Sequence, residues 1–383
     1  MENKIKVMGV YFIIVFITVS LGLTFFEYLN YKKISKIDYS YVWPPNFQYV
    51  FNPDTNIFNG ISGTSHFTIN SFGYRGDMIE DHEDEYRILI LGGSTSECLY
   101  LDDKETWPYL LMGALGETVE GKKVITMNIG KSGHGLRNNL LALKYLPDYY
   151  EPDLIIILTG ANDVLFRLSR KSAWQPFNES EFDRTESYTF SLTPEYSWKS
   201  TIVYNIYKSI EFKFKGVIPQ DGIGKTLVEN RLKRQTAENW VYEIPDLTFA
   251  LEDYERILER VIVLSKEKNS SLMFLTQHYL YKENMTEEED ANLWMTYDFG
   301  DTYYSTEIMI YSLEEFNKKL LNVCEKNEEI FCIDLEAKVP KTSDYMYDDM
   351  HFNENGARFV AEEISSFMKE NIPEFQLIFN YTR

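Results

Sequence analysis

From residue 87 onwards the sequence alternates between short, continuous apolar runs and longer segments that carry an apolar stripe. Such runs predict buried strands, and such stripes predict amphipathic helices. The predicted strands are Arg87–Leu91, Val124–Asn128, Leu154–Thr159, Ser271–Thr276 and Phe331–Leu335. The predicted helices are Trp107–Leu115, Leu136–Tyr145, Phe249–Lys266, Ile308–Cys324 and Glu354–Met368. This alternation predicts an α/β fold, a three-layer α/β/α domain with a mainly five-stranded parallel sheet.

The remaining segments suggest a wider domain organisation. Residues 37–86 combine aromatic, Asn, Pro and Gly residues with short strand patterns, and they predict a lead-in segment packed on the core. The main domain is predicted over residues 87–373. It is interrupted at about residues 167–245 by a long, aromatic, partly helical insertion, which we expect to cap the strand ends.

The N-terminus contains an apolar run from Val7 to Phe26 without any charged residue. About 20 apolar residues are enough for a helix to cross a bilayer. A cleaved signal peptide is the main alternative, but no small-residue cleavage pattern follows the run. A buried core helix fits less well because the run has no polar face. Residues 1–36 are therefore predicted to form an uncleaved signal anchor with one transmembrane helix.

Charge and cysteine content exclude several classes of protein. The chain has 38 Lys and Arg against 59 Asp and Glu, a net charge of −21, so it would repel nucleic acids and anionic headgroups. Its three cysteines, Cys98, Cys324 and Cys332, suggest neither a disulfide framework nor a CxxC zinc site. We expect buried free thiols, with a bridge between Cys324 and Cys332 as the alternative.

Polar residues with known chemical uses follow several of the predicted strands. In a parallel sheet, ligands bind at the carboxyl ends of the strands, so these segments should lie along one edge. The segments are Gly92–Ser96, Asn128–His134, Gly160–Asp163 and, before the last helix, Asp348–His351. Together they place serine, glycine, asparagine, aspartate and histidine at that edge.

These residue types are the ones that acyl transfer needs. Ser94 would be a nucleophile activated by His351 as base, and Asp348, three residues away, would orient the imidazole. The negative oxygen of a tetrahedral intermediate needs hydrogen-bond donors. The backbone N–H groups of Ser94 and Gly133 and the side chain of Asn162 would supply them.

The ordered set of motifs resembles the SGNH (GDSL-type) hydrolase superfamily, in particular its membrane-anchored bacterial branch. The pattern Asn70-Ser71-Phe72-Gly73-Tyr74-Arg75-Gly76 precedes a strand and then Leu91-Gly92-Gly93-Ser94. The resemblance implies a flavodoxin-like SGNH hydrolase fold, with Ser94, Asp348 and His351 as catalytic triad and Ser94, Gly133 and Asn162 as oxyanion hole. Gly93 departs from the usual GDS, and His134 stands where an Asp often follows the glycine of the second motif.

The resemblance also implies a function. We expect a membrane-tethered serine esterase whose catalytic domain lies outside the cytoplasmic membrane. Its expected substrate is an O-acyl ester, in particular an O-acetyl ester, of an envelope glycan or lipid. The alternatives are an O-acyltransferase that uses the same triad and a catalytically silent envelope scaffold. No metal, organic cofactor or nucleic acid is implied, and the sequence does not predict an oligomeric state.

Each site residue also has a purely structural interpretation. Ser94 could cap a helix, Asn162 could be a turn residue, and the Asp348–His351 segment could be an ordinary helix entry. The ordered combination at strand ends favours the catalytic interpretation. Asp349 is the neighbour most easily confused with Asp348, and spacing favours Asp348.

Overall fold

In the computed structural model, the described residues are 18, 19, 22, 43, 45–169, 223–295 and 302–380. The chain divides into two units, residues 1–40 with 184–219 and residues 41–183 with 220–383, and nearly all described residues belong to the second. Among the described residues, no helix is both long and apolar enough to cross a bilayer. The predicted anchor over residues 1–36 lies almost entirely outside them, so it stays a prediction.

Most of the strands belong to one central sheet. The described residues form β1 (Gln48–Phe51), β2 (Ser65–Thr68), β3 (Glu85–Gly92), β4 (Thr118–Val119), β5 (Lys122–Asn128), β6 (Leu154–Leu158), β7 (Asn239–Val241), β8 (Ser271–Leu275), β9 (Thr302–Tyr304) and β10 (Phe331–Ile333). The central sheet has the order β10-β8-β6-β3-β5-β4. All of its pairs are parallel except β4 with β5. Two further pairs are antiparallel β1 with β2 and parallel β7 with β9.

The helices connect these strands. They are α1 (Ser94–Glu97), α2 (Trp107–Leu115), α3 (Leu136–Lys144), α4 (Ala161–Ser169), α5 (Ile223–Gln235), α6 (Thr248–Glu267), α7 (Glu287–Ala291), α8 (Thr306–Glu325), α9 (Leu335–Lys338), α10 (Glu354–Asn371) and α11 (Pro373–Asn380). The predicted and observed bounds of α2 are the same. The other predicted helices differ from the observed ones by a few residues at their ends, where fraying is usual.

The hydrophobic core lies on both faces of the sheet. Alternate residues of a strand point to opposite faces. On one face, Ile88 and Ile156 belong to a single core with Trp107 of α2 and Val360 of α10. On the other face Leu89 is fully buried, α6 packs against both α3 and α8, and all three helices contact the sheet. The domain therefore has three layers, α/β/α.

The predicted strands are all present, but the prediction of a five-stranded, mainly parallel sheet is wrong in one respect. The sheet has six strands and is mixed, because the short β4 pairs antiparallel with β5. The two residues between them, Glu120 and Gly121, have φ of 49° and 84°. Positive φ at both central positions makes a tight hairpin turn. A two-residue strand before such a turn leaves no apolar run for sequence analysis to detect.

The lead-in segment is fixed to the core by a buried arginine. Arg75 is 4% exposed, and its backbone pairs with Asn128 at the end of β5. Its guanidinium group donates to the carbonyl oxygens of Glu97, Cys98 and Leu101 at 2.8, 2.9 and 2.6 Å. Arg75, the arginine of the motif singled out in the sequence, therefore holds the chain that follows α1.

The predicted cap at 167–245 lies only partly within the described residues, since residues 170–222 fall outside them. Its C-terminal part contains α5 and β7. Arg231 of α5 donates hydrogen bonds to the carbonyl oxygens of Ile57, Asn292 and Tyr347. Tyr347 directly precedes Asp348, so α5 contacts the loop that carries the predicted triad residues. The domain boundaries themselves stay predictions.

The cysteine prediction is wrong for two of the three residues. Cys324, near the end of α8, and Cys332, in β10, form a disulfide with their Cα atoms 6.3 Å apart. Cys98 is a buried free thiol, as expected. The bridge closes the short connection from α8 into β10. The alternative of a bridge between Cys324 and Cys332 is the one that the structure shows.

We expect reduction of the Cys324–Cys332 bridge to lower the free energy of unfolding by about 2–3 kcal/mol, because the bridge restricts the unfolded chain. Guanidinium unfolding with and without reductant measures this difference. The matched control is the Cys324→Ser/Cys332→Ser variant, whose stability should not respond to reductant. Three reactive thiols in the unfolded, unreduced protein would contradict the bridge.

Candidate active site

Ser94 lies where β3 gives way to α1. The chain turns sharply at Gly92, whose φ is +154°. A Cβ atom on Gly92 would collide with Ser96 Oγ and lie 2.7 Å from Leu158 O, so this turn requires glycine. The turn leaves the half-buried Ser94 side chain at the carboxyl edge of the sheet, beside the end of β6.

Three of the predicted site residues form one hydrogen-bonded chain. His351 Nε2 lies 2.7 Å from Ser94 Oγ, and His351 Nδ1 lies 2.8 Å from Asp348 Oδ1. With a proton on Nδ1, the imidazole donates to the carboxylate and accepts from the serine hydroxyl. This is the arrangement that activates a serine nucleophile.

Asp348 is held by several donors besides His351. Its Oδ1 accepts the backbone N–H groups of Met350 at 3.0 Å and His351 at 2.9 Å. Its Oδ2 accepts the indole N–H of Trp294 at 2.9 Å. Burial raises the pKa of Asp348, but the charge of His351 and these hydrogen bonds outweigh burial and hold it below its usual value. Asp348 is therefore a carboxylate with a fixed orientation.

Asp349 occupies a different environment from its neighbour. It accepts the hydroxyl of Tyr281 at 2.6 Å and the backbone N–H groups of Trp294 and Met295 at 2.7 and 3.1 Å. Burial and the negative charge of Asp348 raise its pKa to about 6. Asp349 thus anchors the segment that carries Trp294, while Asp348 alone of the two contacts the imidazole.

The pKa of His351 reflects two opposing effects. Burial lowers the pKa, but the charge and hydrogen bond of Asp348, followed by the charges of Asp349 and Glu97, raise it above its usual value. The imidazole therefore has a strengthened basicity, and it gains its neutral, proton-accepting form as the pH rises through that raised pKa.

The second predicted motif forms a turn at residues 131–134. His134 N donates to Lys131 O at 3.0 Å, and Gly133 has a φ of +81°. A type II β-turn requires such a positive φ at its third residue. Asn162 Nδ2 donates to His134 O at 2.9 Å, which ties the turn to the start of α4. The oxyanion role of Gly133 stays a prediction.

The glycine that departs from the usual GDS motif has a structural reason. A Cβ atom on Gly93 would lie 2.6 Å from Asn162 Nδ2 and 3.0 Å from His134 O. The amide of Asn162 therefore packs directly on the backbone of Gly93, one residue before the predicted nucleophile. An aspartate here would displace the Asn162–His134 pair. The position of Asn162 therefore leaves no room for a side chain at Gly93.

A cavity opens beside Ser94 and has a volume of about 270 Å³, including the part open to solvent. Its lining combines Ser94 and Asn162 with small, apolar and neutral polar residues. The lining residues are Gly93, Ser94, Thr95, His134, Leu158, Thr159, Gly160, Ala161, Asn162, Gln277, Met295 and Met350. Within the described part of the chain, no group of three or more His, Cys, Asp or Glu side chains could hold a metal ion.

Two other histidines near the site are neutral. His134 and His278 are both almost fully buried, and burial lowers the pKa of each to about 3. His278 Nε2 lies 2.5 Å from Met350 O, and its ring stacks on Phe352. His351 therefore differs from both in its pKa and in its contact with a carboxylate.

Sequence reasoning missed Trp294 and the anchoring role of Asp349. Trp294 lies 54 residues before Asp348, in a segment without a motif of its own. The doublet Asp348-Asp349 was visible, but it did not show that the second carboxylate binds a distant loop. A signal for such contacts exists only in three dimensions.

Comparison with known proteins shows sequence similarity over a small part of the chain. No protein-family model matches the chain. A Vibrio mimicus protein named arylesterase is 39% identical over 79 residues, which are 21% of this chain and 38% of the relative. The match thus spans well under half of the relative's length.

The solved structures that align with most of the chain have low sequence identity to it and low TM-scores. An acetylxylan esterase from Geobacillus stearothermophilus is 12% identical, with a TM-score of 0.40, over 76% of this chain and 95% of that one. A G-D-S-L family protein from Desulfitobacterium hafniense is 9% identical, with a TM-score of 0.38, over 73% and 98%. These likenesses assign neither a family nor an activity to this chain.

We expect His351 to titrate above its ordinary pKa and the Asp348→Asn variant to move that titration to lower pH. The reason is that the variant removes the carboxylate charge that stabilises the imidazolium. NMR of ¹⁵N-labelled histidine side chains measures the titration directly.

Asp102→Asn is the matched control for this titration. Asp102 lies 2.8 Å from the exposed His66, so its loss should leave the His351 titration unchanged. His134 and His278 should stay neutral down to pH 5. A His351 pKa that is equal in the wild type and in Asp348→Asn would contradict the assignment of the pair.

Proposed function

We propose that this chain is a serine esterase of the SGNH type. The observation that carries the proposal is the continuous chain of hydrogen bonds from Ser94 through His351 to Asp348, at the carboxyl edge of the sheet. The local sequence likeness to an arylesterase supports an ester as substrate. The motif Asn70–Gly76 and the following Leu91–Ser94 support the superfamily.

The reaction runs in two halves. His351 Nε2 takes the proton of Ser94 Oγ as the oxygen attacks the ester carbonyl, and Asp348 stabilises the resulting imidazolium. Collapse of the tetrahedral intermediate breaks the bond to the alcohol, which leaves with the proton from His351. Water then attacks the acyl-serine with the same base, and the carboxylic acid and Ser94 are released.

Asn162 is the best-placed side-chain donor for the oxyanion. Its amide group has two hydrogens, and one of them bonds to His134 O. The amide packs on Gly93 and lines the same cavity as Ser94. Its second hydrogen can therefore face the oxygen that becomes negative, together with the backbone N–H groups of Ser94 and Gly133. Each such donor lowers the barrier by on the order of 3 kcal/mol.

We further propose that the acyl group is short, with acetyl as the first candidate. The cavity beside Ser94 has a volume of only about 270 Å³, including its solvent-open part, and Leu158, Thr159, Met295 and Met350 line it. The lining has no charged side chain, which suits a neutral acyl group. The expected alcohol is a hydroxyl of an envelope glycan or lipid.

The esterase proposal predicts that Ser94→Ala abolishes labelling by a fluorophosphonate and lowers turnover of p-nitrophenyl acetate by about 10³-fold or more. His351→Ala should lower turnover to a similar degree, because removing either member of a triad disables the unit. Fluorescence labelling and a chromogenic assay measure these effects.

Ser169→Ala is the control for the loss of a hydroxyl, since within the described part of the chain Ser169 Oγ bonds only the nearby Phe166 O at the end of α4. The fluorophosphonate should label this variant as it labels the wild type, and the two proteins should hydrolyse p-nitrophenyl acetate at the same rate. Equal labelling of wild type and Ser94→Ala, or no labelling of the folded wild type, would overturn Ser94 as nucleophile.

We also propose that residues 1–36 anchor the protein in the cytoplasmic membrane, with the catalytic domain outside. The apolar run Val7–Phe26 supports the anchor. The Cys324–Cys332 bridge supports the outer location, because structural disulfides persist mainly in oxidising compartments.

The full chain should sediment with membranes and require detergent for release, whereas the chain from residue 37 onwards should not. Protease added to intact spheroplasts should digest the catalytic domain. Cell fractionation and immunoblotting measure both results. Full protection from the external protease, with digestion only after lysis, would contradict the outer location.

A further inference from the structure

The helix that begins with Ser94 lies directly against the predicted oxyanion turn. A Cβ atom on Gly130 would lie 2.8 Å from Glu97 N and 2.8 Å from Ser96 Cβ, so the two backbones are in close contact. Lys131 N donates to Gly92 O at 3.1 Å, which continues the pairing of β3 with β5 beyond the strands. The turn at residues 131–134 therefore begins at a fixed point beside α1.

A single carboxylate connects α1 to the middle of the 131–134 turn. Glu97, the last residue of α1, is 2% exposed. Its Oε2 accepts the backbone N–H of Ser132 at 3.1 Å and also the Ser132 hydroxyl. Ser132 directly precedes Gly133. The helix that carries Ser94 thus holds the peptide unit next to the predicted oxyanion amide.

The backbone of Glu97 is itself fixed. Arg75 donates to Glu97 O at 2.8 Å, and Asn128 Nδ2 donates to Ser96 O at 2.7 Å. A carboxylate on a fixed backbone can hold a turn in one position. Two hydrogen bonds from the turn to one carboxylate oxygen define both the distance and the orientation of the turn relative to that oxygen.

We propose that Glu97 is a positioning residue that sets the Gly133 amide relative to Ser94. This inference rests on the proposed function, because it assigns Glu97 a role through an oxyanion donor. Burying a carboxylate has a free-energy cost that a neutral residue would avoid. The two bonds from Ser132 and the positive charges of Lys131 and Arg75 offset part of that cost, but burial outweighs them and raises the pKa of Glu97 above its usual value.

The test compares kcat, KM and stability for Glu97→Ala, Glu97→Gln and Ser132→Ala with p-nitrophenyl acetate. Glu97→Ala should lower kcat by about 10- to 100-fold with little change in KM, because a misplaced donor weakens the transition state and not substrate binding. Glu97→Gln keeps an oxygen that can accept both bonds and should recover most of kcat. Ser132→Ala keeps the backbone bond and should show an intermediate loss.

Glu85→Ala is the matched control. Glu85 is also buried and accepts two bonds, from Glu80 N at 2.8 Å and Arg87 Nε at 2.9 Å, but it lies at the opposite end of β3 from Ser94. Its loss should lower the melting temperature and leave kcat unchanged. The inhibition constant of butylboronic acid, which forms a tetrahedral adduct with a catalytic serine, should rise in Glu97→Ala in proportion to the loss of kcat/KM.

The outcomes separate this inference from the function on which it rests. An inactive wild type would overturn the proposed function. An active wild type with Ser94→Ala inactive and Glu97→Ala unchanged in kcat would overturn the role of Glu97 alone. If Glu97→Ala does not fold, Ser132→Ala decides: a lower kcat at an unchanged melting temperature supports the inference, and an unchanged kcat overturns it.

Discussion

The parallel pairing of β3 with β5 on one side and β6 on the other is the constraint on which the candidate site depends. Ile90 pairs with Asn128, and Gly92 pairs with Leu158, so the three strands end at neighbouring positions of one edge. Each strand is followed at once by a polar loop. Segments far apart in the chain therefore leave the sheet side by side, and Ser94, His134 of the 131–134 turn and Asn162 line one cavity.

Buried polar groups then fix the loops that the sheet brings together. Asn128 joins two of them, since its amide oxygen accepts Gly130 N at 2.9 Å and its nitrogen donates to Ser96 O at 2.7 Å. Asp163 accepts Leu136 N at 2.9 Å and so secures the chain that follows the 131–134 turn. Fully bonded polar networks of this kind rigidify a site, because each member loses its partners if the loops move. Burying these polar groups has a free-energy cost, and their hydrogen bonds to the loops offset it.

Much of the fold could be predicted because its signals are local. The run Leu154–Leu158 is apolar on both faces, which is typical of a central strand that is buried on both sides. Short elements escaped prediction for the opposite reason. The two residues of β4 carry no periodicity, and their pairing depends on a hairpin turn with two positive φ values. The bridge between Cys324 and Cys332 likewise depends on how α8 returns to β10.

The amino-acid sequence alone predicts Ser94, Asn162, Asp348 and His351 as candidates for acyl transfer, because they stand in recognisable local motifs next to predicted elements. The groups that hold these residues in place became visible in the folded chain. Trp294 reaches Asp348, and Glu97 reaches Ser132, through contacts between segments 54 and 35 residues apart. The physical reason is that a hydrogen bond requires a separation of about 3 Å and a suitable angle. No pattern along the chain encodes that geometry until the sheet has aligned its edges.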